Sequence, residues 1–339
     1  MGAALAVALS INAPHYTRNV ELSGSVLGYD SAQGDGFLRW RNETFGWKQT
    51  ASNVLRNVSE QLGGRSERWN RAVYDRVVQA HKFLGIDVND PATTWRWAVF
   101  QPPRNSNHEA DANSRWHLLI LGIAAAILIW RAVHCGERAP VLYVLALMGG
   151  FLTFCAYLKW QPFETRLLLP LLVAASPIAG IAAGRRRLVV LLALCLFLLG
   201  VARLPALENW VQPLVGPRSV LRVPRDEQYF ADMGQWNNRA SYERTGAVLA
   251  AGDCTIIGID STNLSLEYPL MALLRERRPG TAFVHVGTQN ATKRCRPPAD
   301  AAPCAVVCLN CVGDTKRESL YGAFPLKTDI DQFVVYRRR

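Results

Sequence analysis

Four apolar runs, roughly Trp116–Val133, Pro140–Leu158, Leu167–Ala183 and Leu188–Val201, occupy the middle of the chain. A helix rises about 1.5 Å per residue, so about 20 apolar residues are needed to cross about 30 Å of hydrocarbon. The first two runs have close to that length. The last two are shorter and must draw on flanking residues or sit in a thinner bilayer. A soluble fold can bury one such helix. Four in close succession predict an integral membrane protein.

The expected architecture is an α-helical membrane bundle of four full spans plus a truncated N-terminal helix, joined to an exported C-terminal α/β domain. Residues 1–13 read as the end of a membrane helix whose beginning is missing. Met1–Ile11 is apolar but too short to span, and it lacks the basic start and cleavage site of a signal peptide. Asn12-Ala13-Pro14 is expected to end that run. Residues 14–115 form an outer polar helical segment, 116–202 the membrane bundle, 203–217 a linker marked by Pro205, Pro213 and Pro217, and 218–339 the exported domain.

The formal net charge is +11. The basic residues are spread over every segment without an aromatic–basic recognition motif, which argues against nucleic acid and for membrane lipid as the partner. Arg131 and Arg138 mark the turn between the first two spans, and Arg185, Arg186 and Arg187 the turn between the third and fourth. Both turns lie on one side, which the positive-inside rule makes cytoplasmic. The loop Lys159–Arg166 and both large polar regions are then expected on the extracytoplasmic side of a bacterial plasma membrane.

Within the outer segment, Asn53–Gly63 predicts a short helix with Val54, Leu55, Val58 and Leu62 on its apolar face. Ser66–Leu84 predicts a second, with Trp69, Val73, Val77 and Ala80 opposite Arg68, Arg71, Asp75 and Arg76. In the C-terminal domain, helices are expected over Tyr242–Ala250 and up to about Arg277, with Pro269 in the first turn. Strands are expected at Cys254–Ile259, Ala282–Val286, Cys304–Leu309 and Gln332–Arg337. Buried strands separated by helices predict a small α/β layer. No glycine-rich nucleotide motif is present.

The sharpest local feature is Lys159-Trp160-Gln161-Pro162-Phe163-Glu164-Thr165-Arg166. Trp, Lys and Arg flank membrane helices routinely, which accounts for Lys159 and Trp160 as an interfacial anchor. Glu164 and Arg166, where the next span begins, need more. Cations at an interface suit a lipid-linked phosphate, so Lys159, Arg166 and also Arg18 are candidate phosphate ligands. Glu164 and His15 are candidate bases. His108–His117 holds two histidines with Glu109 and Asp111, but its spacing matches no familiar metal pattern, so no metal site is expected there. Asp111 and Glu109 stay on the list as carboxylate bases. Gly180 and Gly184 form a small-xxx-small pair expected to let helices approach closely.

Of 8 cysteines, Cys135, Cys155 and Cys195 lie in or beside spans as apolar fillers. Cys254, Cys295, Cys304, Cys308 and Cys311 lie in the exported domain, where disulfides are plausible, Cys295 with Cys304 or Cys311 among them. Free thiols and a metal are the alternatives for the CxxC at Cys308–Cys311. Glycosylation sequons occur at Asn42, Asn57, Asn263 and Asn290.

Asn12–Asn19 with Gly24–Gly28, Ala51–Asn57, and Lys159–Arg166 running into Leu167-Leu168-Leu169-Pro170 resemble bacterial multi-span glycosyltransferases of the GT-C type, similar to the family 39 mannosyl and aminoarabinosyl transferases. The resemblance covers most of the chain. It implies a polyprenyl-phosphate-linked sugar as donor, inverting transfer on the outer face and an exported C-terminal domain, with a divalent metal left open. In that family the catalytic acid sits in the first outer loop, which has no counterpart here, so no catalytic residue carries over. The lipid-phosphate surface does: Arg18, Lys159 and Arg166. The expectation is a glycosyltransferase-like protein with little or no activity in this chain alone. The alternative is a non-enzymatic membrane protein whose exported domain binds a partner or ligand.

Overall fold

The computed structural model describes residues 2–26, 28, 39–108, 110–184, 188–231, 238–261, 266–288, 302–309 and 311–338. In chain order the helices are α1 (Gly2–Ser23), α2 (Trp47–Gln61), α3 (Glu67–Leu84), α4 (Arg115–Cys135), α5 (Ala139–Tyr157), α6 (Thr165–Ala183), α7 (Leu188–Leu207), α8 (Arg225–Gln228), α9 (Arg239–Ala250), α10 (Glu267–Arg277) and α11 (Thr315–Glu318). The strands are β1 (Ile256–Asp260), β2 (Ala282–His285), β3 (Ala305–Leu309), β4 (Leu326–Ile330) and β5 (Phe333–Arg337). The chain divides into two compact units, residues 30–216 and residues 1–29 with 217–339.

Four helices, α4 to α7, are long and apolar enough to cross a membrane, at 21, 19, 19 and 20 residues. The two short apolar runs reach this length by recruiting Thr165 and Arg166 at one end and Ala202–Leu207 at the other. The helix α7 therefore runs into the proline-marked stretch read as linker, and Pro205 sits inside its last turn. Ala124 and Leu128 of α4, Val144 of α5, and Ala175, Ile178 and Ala182 of α6 form one apolar cluster. No residue of α7 is buried among those described, so its apolar surface is left for lipid. Gly180 does not act as expected. Nothing stands within 4 Å of where its Cβ would be, so no neighbouring helix approaches there. Gly184 instead ends α6 at φ 67°, the left-handed region that glycine tolerates. Arg131 donates to the Ile181 and Ala182 carbonyls at 3.1 and 2.9 Å, closing the end of α6 with a cation. Residues 185–187 lie outside the described residues.

Most of the segment read as outer, polar and helical lies within the same compact unit as these helices, with α2 against α5. The last carbonyls of a helix have no partner of their own and need one. Here Asn53 Nδ2 donates to the Cys155 and Leu158 carbonyls at 2.8 and 2.9 Å, and Asn42 Nδ2 to Ala156 at 2.8 Å. The Asn42 amide N–H reaches Tyr157 at 2.8 Å. This reverses the expected face of α2. Its buried residues are Ser52, Asn53, Arg56, Asn57, Ser59 and Gln61, whereas Val58 is 37% exposed. Helix α3 begins and ends on residues suited to it. The Ser66 hydroxyl accepts from the Trp69 amide at 3.3 Å, and Gly85 takes φ 70° after the last turn.

In the other unit, α1 does not stop at Pro14 but continues to Ser23. Proline removes one N–H from the ladder. The Thr17 hydroxyl donates to the Ala13 carbonyl at 3.0 Å and Arg18 Nε to Pro14 at 3.2 Å, which adds side-chain bonds across that turn.

The C-terminal part forms a five-stranded sheet in the order β2-β1-β3-β5-β4. Strands β2, β1 and β3 run parallel, and β5 and β4 are antiparallel to their neighbours. Period-two alternation splits the core. Ala305, Val307, Leu309, Phe333 and Val335 face one cluster with Tyr242 and Leu249 of α9 and Leu270 and Leu274 of α10. Val306, Cys308, Val334 and Tyr336 face the other. The edge strand β4 is absent from the sequence-based expectation. Its Lys327 and Asp329 hide a strand pattern while protecting an open edge.

Disulfides join Cys254 to Cys304 and Cys308 to Cys311. The expected pairing of Cys295 with Cys304 or Cys311 is therefore replaced, and Cys295 itself lies outside the described residues, as do Asn263 and Asn290. Cys254 and Cys304 precede the neighbouring strands β1 and β3, with Cα atoms 5.5 Å apart and 50 residues between them in sequence. Closing a loop of that length restricts the unfolded chain by roughly 4 kcal/mol. Cys254→Ala with Cys304→Ala is expected to destabilise the sheet domain by about that amount, read from chemical denaturation without reductant. A change under about 1 kcal/mol would show that the bond adds little.

Candidate functional site

Lys159, Trp160, Gln161 and Glu164 of the loop after α5 are buried inside the protein, whereas Arg166 is exposed. Lys159 and Glu164 are 6% and 3% exposed, and Trp160 is fully enclosed. Residues 93–95 run alongside it as a short ladder: the Trp160 amide donates to the Thr93 carbonyl at 2.8 Å, and the Trp95 amide to the Trp160 carbonyl at 2.9 Å. Lys159 Nζ donates to Glu43 Oε1 at 2.6 Å and to the Pro91 carbonyl at 2.7 Å. Lysine at this position is thus spent on internal partners and is not presented to a lipid phosphate. Glu43 is held below the usual carboxylate range by that hydrogen bond, with the lysine's charge adding to it against a smaller opposing effect of burial.

Arg56 lies over the Trp160 ring at 5.2 Å. Its guanidinium donates to the Val88 and Thr93 carbonyls, the Thr93 and Thr94 hydroxyls and Asn53 Oδ1 at 2.5–3.1 Å. Burial lowers its pKa to about 10. Both carboxyl oxygens of Glu164 are buried, and neither makes a well-formed hydrogen bond, although the Asn57 amide lies near enough to act on them. Burial pushes this carboxyl well above the ordinary range. The Asn57 amide and the Arg56 charge pull the other way without prevailing, and Glu60 adds to the rise. Glu60 is raised to about 8, first by burial and then by Asp111.

Asp111 differs from these two acids. Arg104 Nη2 stands 3.1 Å from its Oδ2, and the Ser106 hydroxyl donates to Oδ1. His108 Nδ1, 3.9 Å from Asp111, accepts the Ala110 amide at 3.0 Å, so that nitrogen is unavailable to a metal. Glu60, Arg104 and Asp111 line a cavity of about 220 Å³ together with Trp97, Trp160 and Phe163. Carboxylates, a guanidinium and aromatic faces in one recess are the groups that hold a sugar ring. Glu109 lies outside the described residues.

On the other side of the 104–113 loop is a larger groove of about 700 Å³. Its polar end carries Arg65, Arg115, Arg166 and His117, and its wall is Leu169 of α6 with Leu196, Phe197, Val201 and Leu204 of α7. The turn Gly63-Gly64 positions the cations. A Cβ on Gly63 would collide with the Arg104 carbonyl, and one on Gly64 would stand 2.6 Å from Arg115 Nη1. Arg115 Nη1 donates to the Gly63 carbonyl at 3.2 Å. Neither Arg65 nor Arg166 makes an ion pair among the described residues.

Of the sequence-expected residues, the structure places Arg166 in this groove and Asp111 and Glu164 near it. His15 and Arg18 lie on α1, in the other compact unit, both exposed. Arg65 and Arg115 were missed. Their only signal was the Gly-Gly turn and the start of a span, 50 residues apart. Among the described residues, the one converging set of metal-type ligands lies in the sheet domain. Comparison with known proteins returns no family model, no curated protein and no solved structure that matches the chain.

Proposed function

We propose that this chain is a membrane glycosyltransferase-like protein whose groove holds the phosphate of a polyprenyl-phosphate-linked sugar on the extracytoplasmic face. The observation that carries this is the pairing of three guanidinium groups, Arg65, Arg115 and Arg166, with an apolar wall from α6 and α7 in one groove. Guanidinium forks match phosphate oxygens, and an isoprenoid tail matches a helix face already turned to lipid. The sugar would enter the adjoining cavity, where Asp111, oriented by Arg104 and Ser106, is the group placed to accept a hydroxyl proton. Glu60, raised to about 8, keeps its proton at neutral pH and is a poor base that can donate.

Lys159 is a structural residue here, so the informative variant is Arg115→Ala with Arg166→Ala. In nanodiscs carrying a polyprenyl phosphate, the pair is expected to weaken binding about a hundredfold, close to 2.7 kcal/mol. Melting of the chain should change little, because neither cation is enclosed. Unchanged binding would remove the lipid-phosphate reading and leave the four apolar helices as an anchor for the sheet domain.

A further inference from the structure

We propose that Asp260, Cys308 and Cys311 form a binding site for a thiophilic divalent cation such as Zn²⁺ when the Cys308–Cys311 disulfide is reduced. Strand β1 ends at Asp260 and β3 carries Cys308, and the parallel register sets these two residues side by side. One ligand atom from each of the three residues lies within 4.8 Å of the others. All three are buried. This is the end of the parallel strands where the chain leaves the sheet, the usual place for ligands in such layers.

The surroundings are built around the carboxylate. Tyr321 donates its hydroxyl to Asp260 Oδ2 at 2.6 Å, and Arg317 pairs with Oδ1. Such outer contacts orient a metal-binding carboxylate. Gly287, at φ 67°, passes so close that a Cβ there would stand 2.5 Å from Asp260 Oδ2 and 2.6 Å from the Tyr321 hydroxyl, so the backbone packs directly on the carboxylate. Cys308 Sγ lies 3.4 Å from Asp260 Oδ2. A disulfide sulfur has no proton to give that oxygen. A thiol would donate to it, and a cation would bridge the two.

Charge supports the same reading. With the disulfide closed, Asp260 and Arg317 cancel. Two thiolates and one carboxylate carry three negative charges, which Zn²⁺ and Arg317 cancel again. Both states bury a neutral cluster, which a low-dielectric site requires. Two cysteines three residues apart also suit tetrahedral zinc, with a fourth position left to water. The exchange balances as follows. An external dithiol is oxidised to its disulfide and passes two electrons and two protons to Cys308 and Cys311. The cation then displaces both thiol protons to solvent.

The test is a Co²⁺ titration of the purified full chain in detergent, before and after reduction with dithiothreitol that is then removed anaerobically. The expected result is one cobalt per chain with thiolate-to-cobalt charge-transfer bands, only after reduction. Cys308→Ser and Cys311→Ser should each abolish the bands. Asp260→Asn should weaken binding at least tenfold, whereas Cys254→Ser with Cys304→Ser should leave it unchanged. Absence of the bands in wild-type chain whose thiols are counted as free would overturn the proposal, whatever the variants do. Bands that survive Cys308→Ser would overturn it too. Neither outcome depends on the lipid groove.

Discussion

Replacing Arg56 by methionine is expected to unfold the polar part of residues 39–114, at a loss of at least about 5 kcal/mol. The side chain is fully buried and donates five hydrogen bonds, two of them to backbone carbonyls. Methionine fills the volume but takes the arginine donors from the Val88 carbonyl, Asn53 Oδ1 and the two threonine hydroxyls, at roughly 1–3 kcal/mol for each acceptor left unsatisfied, while the Thr93 carbonyl keeps the Trp160 amide. It also removes the cation over Trp160. Arg56→Lys should recover little, because a single ammonium cannot span acceptors on residues 53, 88, 93 and 94. Thermal unfolding in detergent, followed by tryptophan emission, measures the loss. A change below about 1 kcal/mol would mean that α2 and the loop at 88–94 are held by apolar contact alone.

Stability is also expected to fall as pH rises from about 5 to about 8. Glu60 holds its proton up to about 8 in the folded chain, against 4.5 for an ordinary glutamate. Between those values the folded state binds more protons than the unfolded one. Stability is therefore complete below the unfolded value and declines at up to roughly 1.4 kcal/mol per pH unit for each such group. Above about 8 the Glu60 contribution levels off, because both states are then ionised. Glu164 is raised in the same direction and for the same first reason, burial. Glu60→Gln and Glu164→Gln should each flatten the profile, and together abolish most of the slope. Denaturation midpoints across this range check the sign. A wild type more stable at pH 8 than at pH 5 would refute it, since carboxylates held ionised in the fold give the opposite slope.

The four apolar helices were legible in the sequence because lipid asks only for length and apolarity, and both can be counted. Helix α3 was legible in the helical spacing of Trp69, Val73, Val77 and Ala80. Strands β3 and β5 were legible as short apolar runs, because both faces of each are buried. The inward face of α2 was not. Periodicity assigns Val54 and Val58 to the interior, but the neighbour to be satisfied is the carbonyl end of another helix, and that demands Asn53 and Arg56. The lysine of the 159–166 loop misled similarly. A lysine beside a span normally reaches for headgroups, and only the fold reveals that Glu43 and Pro91 already hold it. Strand β4 escaped because edge charges mimic a loop. The groove depends on Arg65, Arg115 and Arg166 meeting across some hundred residues, which no local pattern encodes.

The capping of α5 by Asn42 and Asn53 bears on how the protein is made. Asn53 bonds a carbonyl 105 residues downstream. At roughly 5–20 residues per second, that partner leaves the ribosome about 5–20 s after Asn53 itself. Until then α2 has a polar face with nothing to bind, and the end of α5 cannot be finished without it. Closure of the polar segment therefore waits for the end of α5 to be made. A chain stalled before residue 158 should expose residues 39–114 to proteolysis, however well its first spans have inserted.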